Sequence, residues 1–368
     1  MRTDGNDTLI SSLLCDWYSS RKRDLPWRAT RDPYRIWLSE IILQQTRIAQ
    51  GLPYYLDFIQ TFPDVKALAE ADESVILRHW QGLGYYSRAR NLHRAAQLVM
   101  ERFGGKMPES YEGLLSLPGI GSYTAAAIAS FAYDLPQAVL DGNVYRVLAR
   151  LYDLDTDILS SQAPALFGEY ARLTLDSHRP ALHNQAIMEF GELHCVPQNP
   201  DCASCPLADH CLALQAGTVA ERPVRKRDIK RKERYFNYLF ITEKRHFLIR
   251  QREGKDIWQH LWELPLMENG NILQWKDLTT DEGSLGAMLR ELPEAAILGE
   301  PRDYHHLLSH QTIHARFFPL VLPEWPEALD TWIGKDGIIK ISIEESENYA
   351  FSRLSVRFFD SFLPKLLT

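Results

Sequence analysis

Four of the five cysteines, Cys195, Cys202, Cys205 and Cys211, fall within seventeen residues in a C-x6-C-x2-C-x5-C arrangement. Thiolates this close can be gathered by one loop, and four soft anions meet the ligand demand of a tetrahedral zinc ion or of an iron-sulfur cluster. The chain opens without a basic start, an apolar run and a small-residue cleavage site, so a disulfide framework is not expected. The spacing predicts a metal-bearing loop, with zinc and iron both open. Cys15 stands apart among Leu13, Leu14 and Trp17 and reads as a small core residue.

At 368 residues the chain is too long for one ordinary core, and two domains are expected. With 45% hydrophobic and 24% charged residues it is globular rather than disordered. No apolar run approaches the length of a membrane span, so a cytoplasmic location is expected. The net charge of −7 argues against a nucleic-acid partner only until it is divided along the chain. Between Arg78 and Lys106, the cations Arg78, Arg88, Arg90, Arg94, Arg102 and Lys106 face the single acid Glu101. This stripe suits a phosphate-binding face, against the plainer reading of a solvated helix surface.

Up to about residue 190, apolar positions recur at three and four, as in Val144, Val147, Leu148 and Leu151, which predicts a mostly α-helical domain over 1–217. Residues 218–234 are basic and aperiodic and read as a linker. Beyond them, 235–242, 246–252 and 313–322 suit strands and 352–366 a closing helix, giving an α+β domain over 235–368.

Three places in the helical part carry chemistry. Leu117-Pro118-Gly119-Ile120-Gly121 feeds a small-residue helix beginning at Ser122, and a glycine turn at a helix start presents N–H groups to an anion. Glu40 has six apolar residues among its seven neighbours from Ile36 to Leu43; burial would raise its pKa toward that of a general acid, unless it lies on the wet face of an amphipathic helix. Asp141, in Leu140-Asp141-Gly142-Asn143-Val144, reads as an N-cap whose carboxylate is also placed to stabilise positive charge.

The cysteine spacing and the LPGIG hairpin resemble those of the helix-hairpin-helix DNA glycosylases, in which such a loop holds a 4Fe-4S cluster. Within that superfamily, Leu25-Pro26-Trp27-Arg28, Trp37-Leu38-Ser39-Glu40, Leu43-Gln44-Gln45-Thr46, the run from Gly82 to Leu92 and Leu140-Asp141-Gly142-Asn143-Val144 resemble the blocks of the MutY-type adenine DNA glycosylases. The resemblance implies excision of adenine mispaired with 8-oxoguanine or guanine. Glu40 would protonate the adenine ring and Asp141 stabilise the oxocarbenium-like sugar, assisted by Tyr123 and Asn143. Arg23, Trp27, Arg28 and Gln185 would form the base pocket. Gln45 and Tyr86 would penetrate the duplex, with Arg88, Arg90, Gly119 and Gly121 as further DNA contacts. The endonuclease III type carries a Schiff-base lysine where this chain has Tyr123, so base removal without strand cleavage is expected. A glycosylase/lyase and a non-catalytic mispair-binding protein are the alternatives.

The second domain resembles the Nudix-like recognition domain of that family through Trp258-Gln259-His260-Leu261-Trp262-Glu263-Leu264-Pro265, with His260 in place of a glycine. The magnesium-binding Nudix box is not found, so lesion reading rather than diphosphate hydrolysis is implied. Ser309 and His310 would sense the lesion, with Leu308 where the family has an aromatic residue. The expected partner is double-stranded DNA containing A:8-oxoguanine or A:G mispairs, bound by a monomer.

Overall fold

A computed structural model describes residues 5–226, 231–292 and 296–366. Two units emerge from the packing. One contains the residues up to 70 together with 91–226; the other joins 71–90 to the described residues from 231 onward. Residues 71–90, expected in the helical domain, thus pack with the C-terminal unit. The start of the expected linker is also structured: Thr218 donates to Asp153 at 2.6 Å, and Arg222 pairs with Asp153 at 3.0 Å. Its residues 227–230 lie outside the described part.

Among the described residues the first twelve α-helices are α1 (Gly5–Arg21), α2 (Pro33–Leu43), α3 (Ile48–Thr61), α4 (Val65–Glu70), α5 (Glu73–His79), α6 (Ser87–Phe103), α7 (Tyr111–Leu115), α8 (Ser122–Tyr133), α9 (Gly142–Leu151), α10 (Ala163–Thr174), α11 (Pro180–Leu193) and α12 (Leu212–Ala216). Of these, α5 and the start of α6 belong to the second unit. In the helical unit, α1 and α9 pack on α11, and α2 packs on α8. Leu14, Trp17, Val147, Leu148, Phe167, Ile187 and Phe190 fill one core, so the faces of α1, α9, α10 and α11 are held by apolar burial. Gly191 lets α11 approach α9: a Cβ there would come within 2.8 Å of Asn143 Cβ. That close approach sets the position of the α9 N-terminus.

The second unit is built on an eight-stranded mixed sheet of β1 (Lys232–Thr242), β2 (His246–Gln251), β3 (Trp262–Glu263), β4 (Leu266–Asn269), β5 (Ile297–Leu298), β6 (Arg302–Leu307), β7 (Gln311–Val321) and β8 (Ile338–Ser342). β1 and β7 run parallel at its centre, from Lys232 opposite Gln311 to Thr242 opposite Val321. Both faces of β1 are covered, as expected of a central parallel strand. On one face Leu239, Ile241, Phe318 and Leu320 meet α13 (Trp275–Thr279) and α14 (Ser284–Arg290), while α15 (Glu327–Asp330) supplies Leu329. On the other, Phe317 stacks on Phe358 of α16 (Arg353–Leu366) at 4.4 Å. The anticipated strands and closing helix are thus present. No helix among the described residues is long and apolar enough to cross a membrane.

Candidate active site

The acid on α2 is placed by local rules. Asp32 caps the helix by accepting the Tyr34 N–H at 2.9 Å, and Pro33 occupies the first turn, where its missing N–H costs nothing. Ile36, Trp37, Ile41 and Ile42 bury the helix, leaving Glu40 half-buried on its inner side. Its Oε2 accepts the Tyr123 hydroxyl of α8 at 2.7 Å. Burial raises the Glu40 pKa to about 7; the Tyr123 hydrogen bond opposes the rise, the Asp141 charge adds to it and Arg28 lowers it. Burial and the neighbouring Glu40 hold the Tyr123 hydroxyl well above its ordinary range, so it stays a proton-bearing donor.

Asp141 caps α9, with Oδ1 accepting the Val144 N–H at 2.7 Å and Oδ2 accepting Asn143 Nδ2 at 2.9 Å. Burial raises its pKa, while these hydrogen bonds and the more distant Arg146 favour the charged form. Asn143 is fixed in turn: its Oδ1 accepts Arg146 Nη2 at 2.9 Å, and Arg146 also donates to the carbonyls of Gly191 (2.6 Å) and Cys195 (2.8 Å).

Glu40, Tyr123, Asp141 and Asn143 line one cavity of about 420 Å³, together with Trp27, Arg28, Gln45 and Gln185. Gln45 is exposed at its rim in a left-handed backbone conformation (φ 56°). Arg23 is not in the wall. It joins Arg28 on the carboxylate of Glu189, a buried residue that motif reading misses. Although burial pushes the Glu189 pKa up, hydrogen bonds from Arg28 and Arg23 take it down to about 2. The wall therefore holds one carboxyl poised near neutrality and another kept ionised.

The expected duplex contacts separate into three groups. At the hairpin between α7 and α8, Gly119 has φ 77°, and a Cβ there would meet Asn91 at 2.8 Å. Gly121 needs neither an unusual φ nor space within the protein: it caps α8 at φ −88° and a Cβ would meet nothing within 4 Å. Its surroundings are open for an approaching group. Tyr86 requires a correction: it is only 2% exposed, and its hydroxyl donates to the Phe351 carbonyl at 3.2 Å. Tyr85, at φ 49° and 45% exposed, is the outward member of the pair. Arg88 folds back onto the Gly84 carbonyl (3.1 Å) and the Trp80 ring (5.0 Å), and Arg90 donates to the Gln259 carbonyl at 2.8 Å, so both brace the second unit. Ser309 and His310 are exposed at the turn between β6 and β7, with their side chains 3.1 Å apart. His260, where the resembling family has glycine, takes the left-handed backbone that glycine favours (φ 65°) and pairs with Glu73.

Cys195, Cys202, Cys205 and Cys211 line a shared cavity with Arg150 and His194. Arg150 donates to Cys195 Sγ at 3.3 Å, and the buried His194 Nε2 has no protein partner among the described residues. No three Cys, His, Asp or Glu groups converge on a single-ion site among the described residues. Four sulfurs around a common cavity, with the Arg150 guanidinium and an unpaired His194 ring nitrogen beside it, fit a cluster better than one zinc ion.

Residues 38–172 match the HhH-GPD superfamily of base excision DNA repair proteins, 195–211 the iron-sulfur binding domain of endonuclease III, and 237–361 the NUDIX domain. The chain is 33% identical to an adenine DNA glycosylase of Buchnera aphidicola over 82% of its own length and 83% of that protein. It belongs to the adenine DNA glycosylase family. The human adenine DNA glycosylase is 42% identical over 56% of this chain and 40% of its own. A solved thermostable thymine-DNA glycosylase is similar at TM-score 0.54 and 28% identity, over 57% of this chain and 97% of that one. As in the family, the four-cysteine loop holds a 4Fe-4S cluster.

Proposed function

We propose that this chain hydrolyses the N-glycosidic bond of adenine mispaired with 8-oxoguanine, and more slowly with guanine, in duplex DNA, without cutting the strand. The observation that carries this reading is the sharing of one cavity by Glu40, with a pKa near 7, and the N-capping Asp141. Glu40 delivers a proton to the adenine ring, which lets the base leave as a neutral molecule. Asp141 faces the positive charge that grows on the sugar, Tyr123 holds the Glu40 carboxyl and Asn143 holds that of Asp141. Water then adds at the anomeric carbon. The side chain at position 123 is a phenol, which forms no imine with an opened sugar.

An adenine must leave the helix to reach such a cavity. We assign Gln45 to the gap it leaves, the open N–H groups around Gly121 to a backbone phosphate, and Tyr85, Ser309 and His310 to contacts that the second unit makes with the duplex, with the protein acting as a monomer. Single-turnover adenine release from A:8-oxoguanine, A:G and A:T duplexes tests the proposal. Glu40→Gln and Asp141→Asn should each lose at least about 100-fold, and borohydride should trap no covalent complex. Tight mispair binding by the unaltered protein with no free adenine would establish the non-catalytic alternative.

A further inference from the structure

Gln185 lies in the cavity wall, and its amide can present either an acceptor or a donor to a base. Which one it presents depends on a residue outside the wall. The Tyr18 hydroxyl near the end of α1 donates to Gln185 Oε1 at 2.7 Å. The reverse arrangement, with the amide donating to Tyr18, would leave the phenol proton without an acceptor. Tyr18 is only 3% exposed, and the groups over its ring are cations: Arg28 at 5.6 Å and Lys22 at 6.0 Å. Among the described residues no other acceptor is hydrogen-bonded to that hydroxyl. Burial also raises the Tyr18 pKa, keeping the phenol neutral and able to donate.

Gln185 Nε2 has no protein acceptor among the described residues. Glu189, one turn further along α11, is filled by donors from Arg23 and Arg28. The cavity therefore meets a base with an N–H donor at this wall and a proton-bearing carboxyl at Glu40.

We propose that Tyr18 is a positioning residue that locks the Gln185 amide with its N–H2 toward the cavity, so that the site selects a purine whose N1 is an acceptor. Adenine N1 carries a lone pair; guanine N1 carries a hydrogen and would set donor against donor. A site built to make such a hydrogen bond rejects an analogue that cannot complete it, because its own buried group is left unpaired. Tyr18 thus protects guanine from excision without touching it. This inference rests on the adenine-excision reading.

The test measures single-turnover base release from duplexes carrying 2′-deoxyadenosine or 1-deaza-2′-deoxyadenosine opposite 8-oxoguanine, using the iron-loaded full chain and its Tyr18→Phe variant. Comparing the ratio of the two rates between proteins cancels any difference in intrinsic lability. In the unaltered protein the ratio should favour adenine by about 10- to 100-fold, and in Tyr18→Phe it should collapse toward that of Gln185→Leu, with iron content unchanged. A phenylalanine variant that slows both substrates equally would reduce Tyr18 to a structural role and overturn the inference. Should Tyr18→Phe fail to fold, Tyr18→Leu is measured in its place: a ratio collapsed to that of Gln185→Leu upholds the inference, and a ratio equal to that of the unaltered protein, in it or in Gln185→Leu, overturns it. If the unaltered protein releases no adenine, the functional reading fails instead.

Discussion

Glu40 should make the folded protein less stable at high pH, and Glu40→Gln should remove that weakness. A carboxyl whose pKa rises from an ordinary 4.5 to about 7 on folding is held in its neutral form by the fold. The associated stability is fully present below 4.5 and is lost as pH rises through about 7, because the folded protein must then ionise a group that the unfolded chain ionises freely. A shift of this size corresponds to about 3 kcal/mol as a ceiling. Water reaching the half-buried carboxyl through the cavity reduces the expected effect to about 1–3 kcal/mol. Glutamine has the same shape, and its carbonyl can still accept the Tyr123 hydroxyl that now lies 2.7 Å from Oε2. Urea unfolding of the iron-loaded protein, followed by tryptophan fluorescence at pH 5 and pH 8.5, isolates the effect. The variant should lie close to the unaltered protein at pH 5, where about a quarter of the effect is already lost, and exceed it by the whole effect at pH 8.5, while adenine release is lost at both. In the unaltered protein the rate of release should fall as pH rises through about 7. An equal stability difference at both pH values, or a loss confined to pH 8.5, would refute the assignment of Glu40 as an acid kept protonated by burial.

Three other outcomes follow from the geometry. Gly191→Ala would press a methyl group to 2.8 Å from Asn143 Cβ and 3.1 Å from its carbonyl oxygen, so adenine release should drop by about tenfold or more with iron content preserved, measured by single-turnover kinetics beside iron analysis. His260→Gly should be more stable than His260→Ala by about 1 kcal/mol in urea, since both lose the contact with Glu73 and only glycine adopts φ 65° without strain. Tyr85→Ser should weaken binding to mispaired duplex without altering unfolding, whereas Tyr86→Ser should lower the unfolding midpoint by removing a side chain that is only 2% exposed.

The sequence makes legible whatever is local. Glu40 announces itself by sitting in an apolar run, Asp141 by preceding a helix, and the cysteines by their spacing. What it conceals is decided by backbone geometry or by distant packing. In Gly82-Leu83-Gly84-Tyr85-Tyr86 the two rings have the same chemistry, yet residue 85, at positive φ, is exposed while residue 86 is buried and bonded to the distant Phe351 carbonyl. Arg88 and Arg90 look like phosphate ligands in a stripe of cations, yet their acceptors are backbone carbonyls at Gly84 and Gln259, the latter 169 residues away. Glu189 is unremarkable on α11 because Arg23 and Arg28 are 166 and 161 positions distant.

Packing of α9 against α11 explains how separate motifs act together. The cap Asp141 is held by Asn143, Asn143 by Arg146, and Arg146 by the carbonyls of Gly191 and Cys195, the first residue of the cysteine loop. The same α11 carries Gln185 and Glu189 into the wall of the cavity. One helix thus fixes the base pocket, the orientation of the sugar-facing carboxylate and the entry to the cluster loop. A disturbance of the loop at Cys195 has a hydrogen-bonded route to Asp141 that does not pass through Glu40, whose position depends on α2 and α8. Loss of the loop's order should therefore impair stabilisation of the sugar while leaving the acid the burial and the Tyr123 hydrogen bond that dominate its environment. That distinction is measurable: in an Arg146→Lys variant the maximal rate should be reduced, whereas the pH at which release falls, set mainly by the burial of Glu40, should move only slightly, and downward, as the Asp141 charge shifts away.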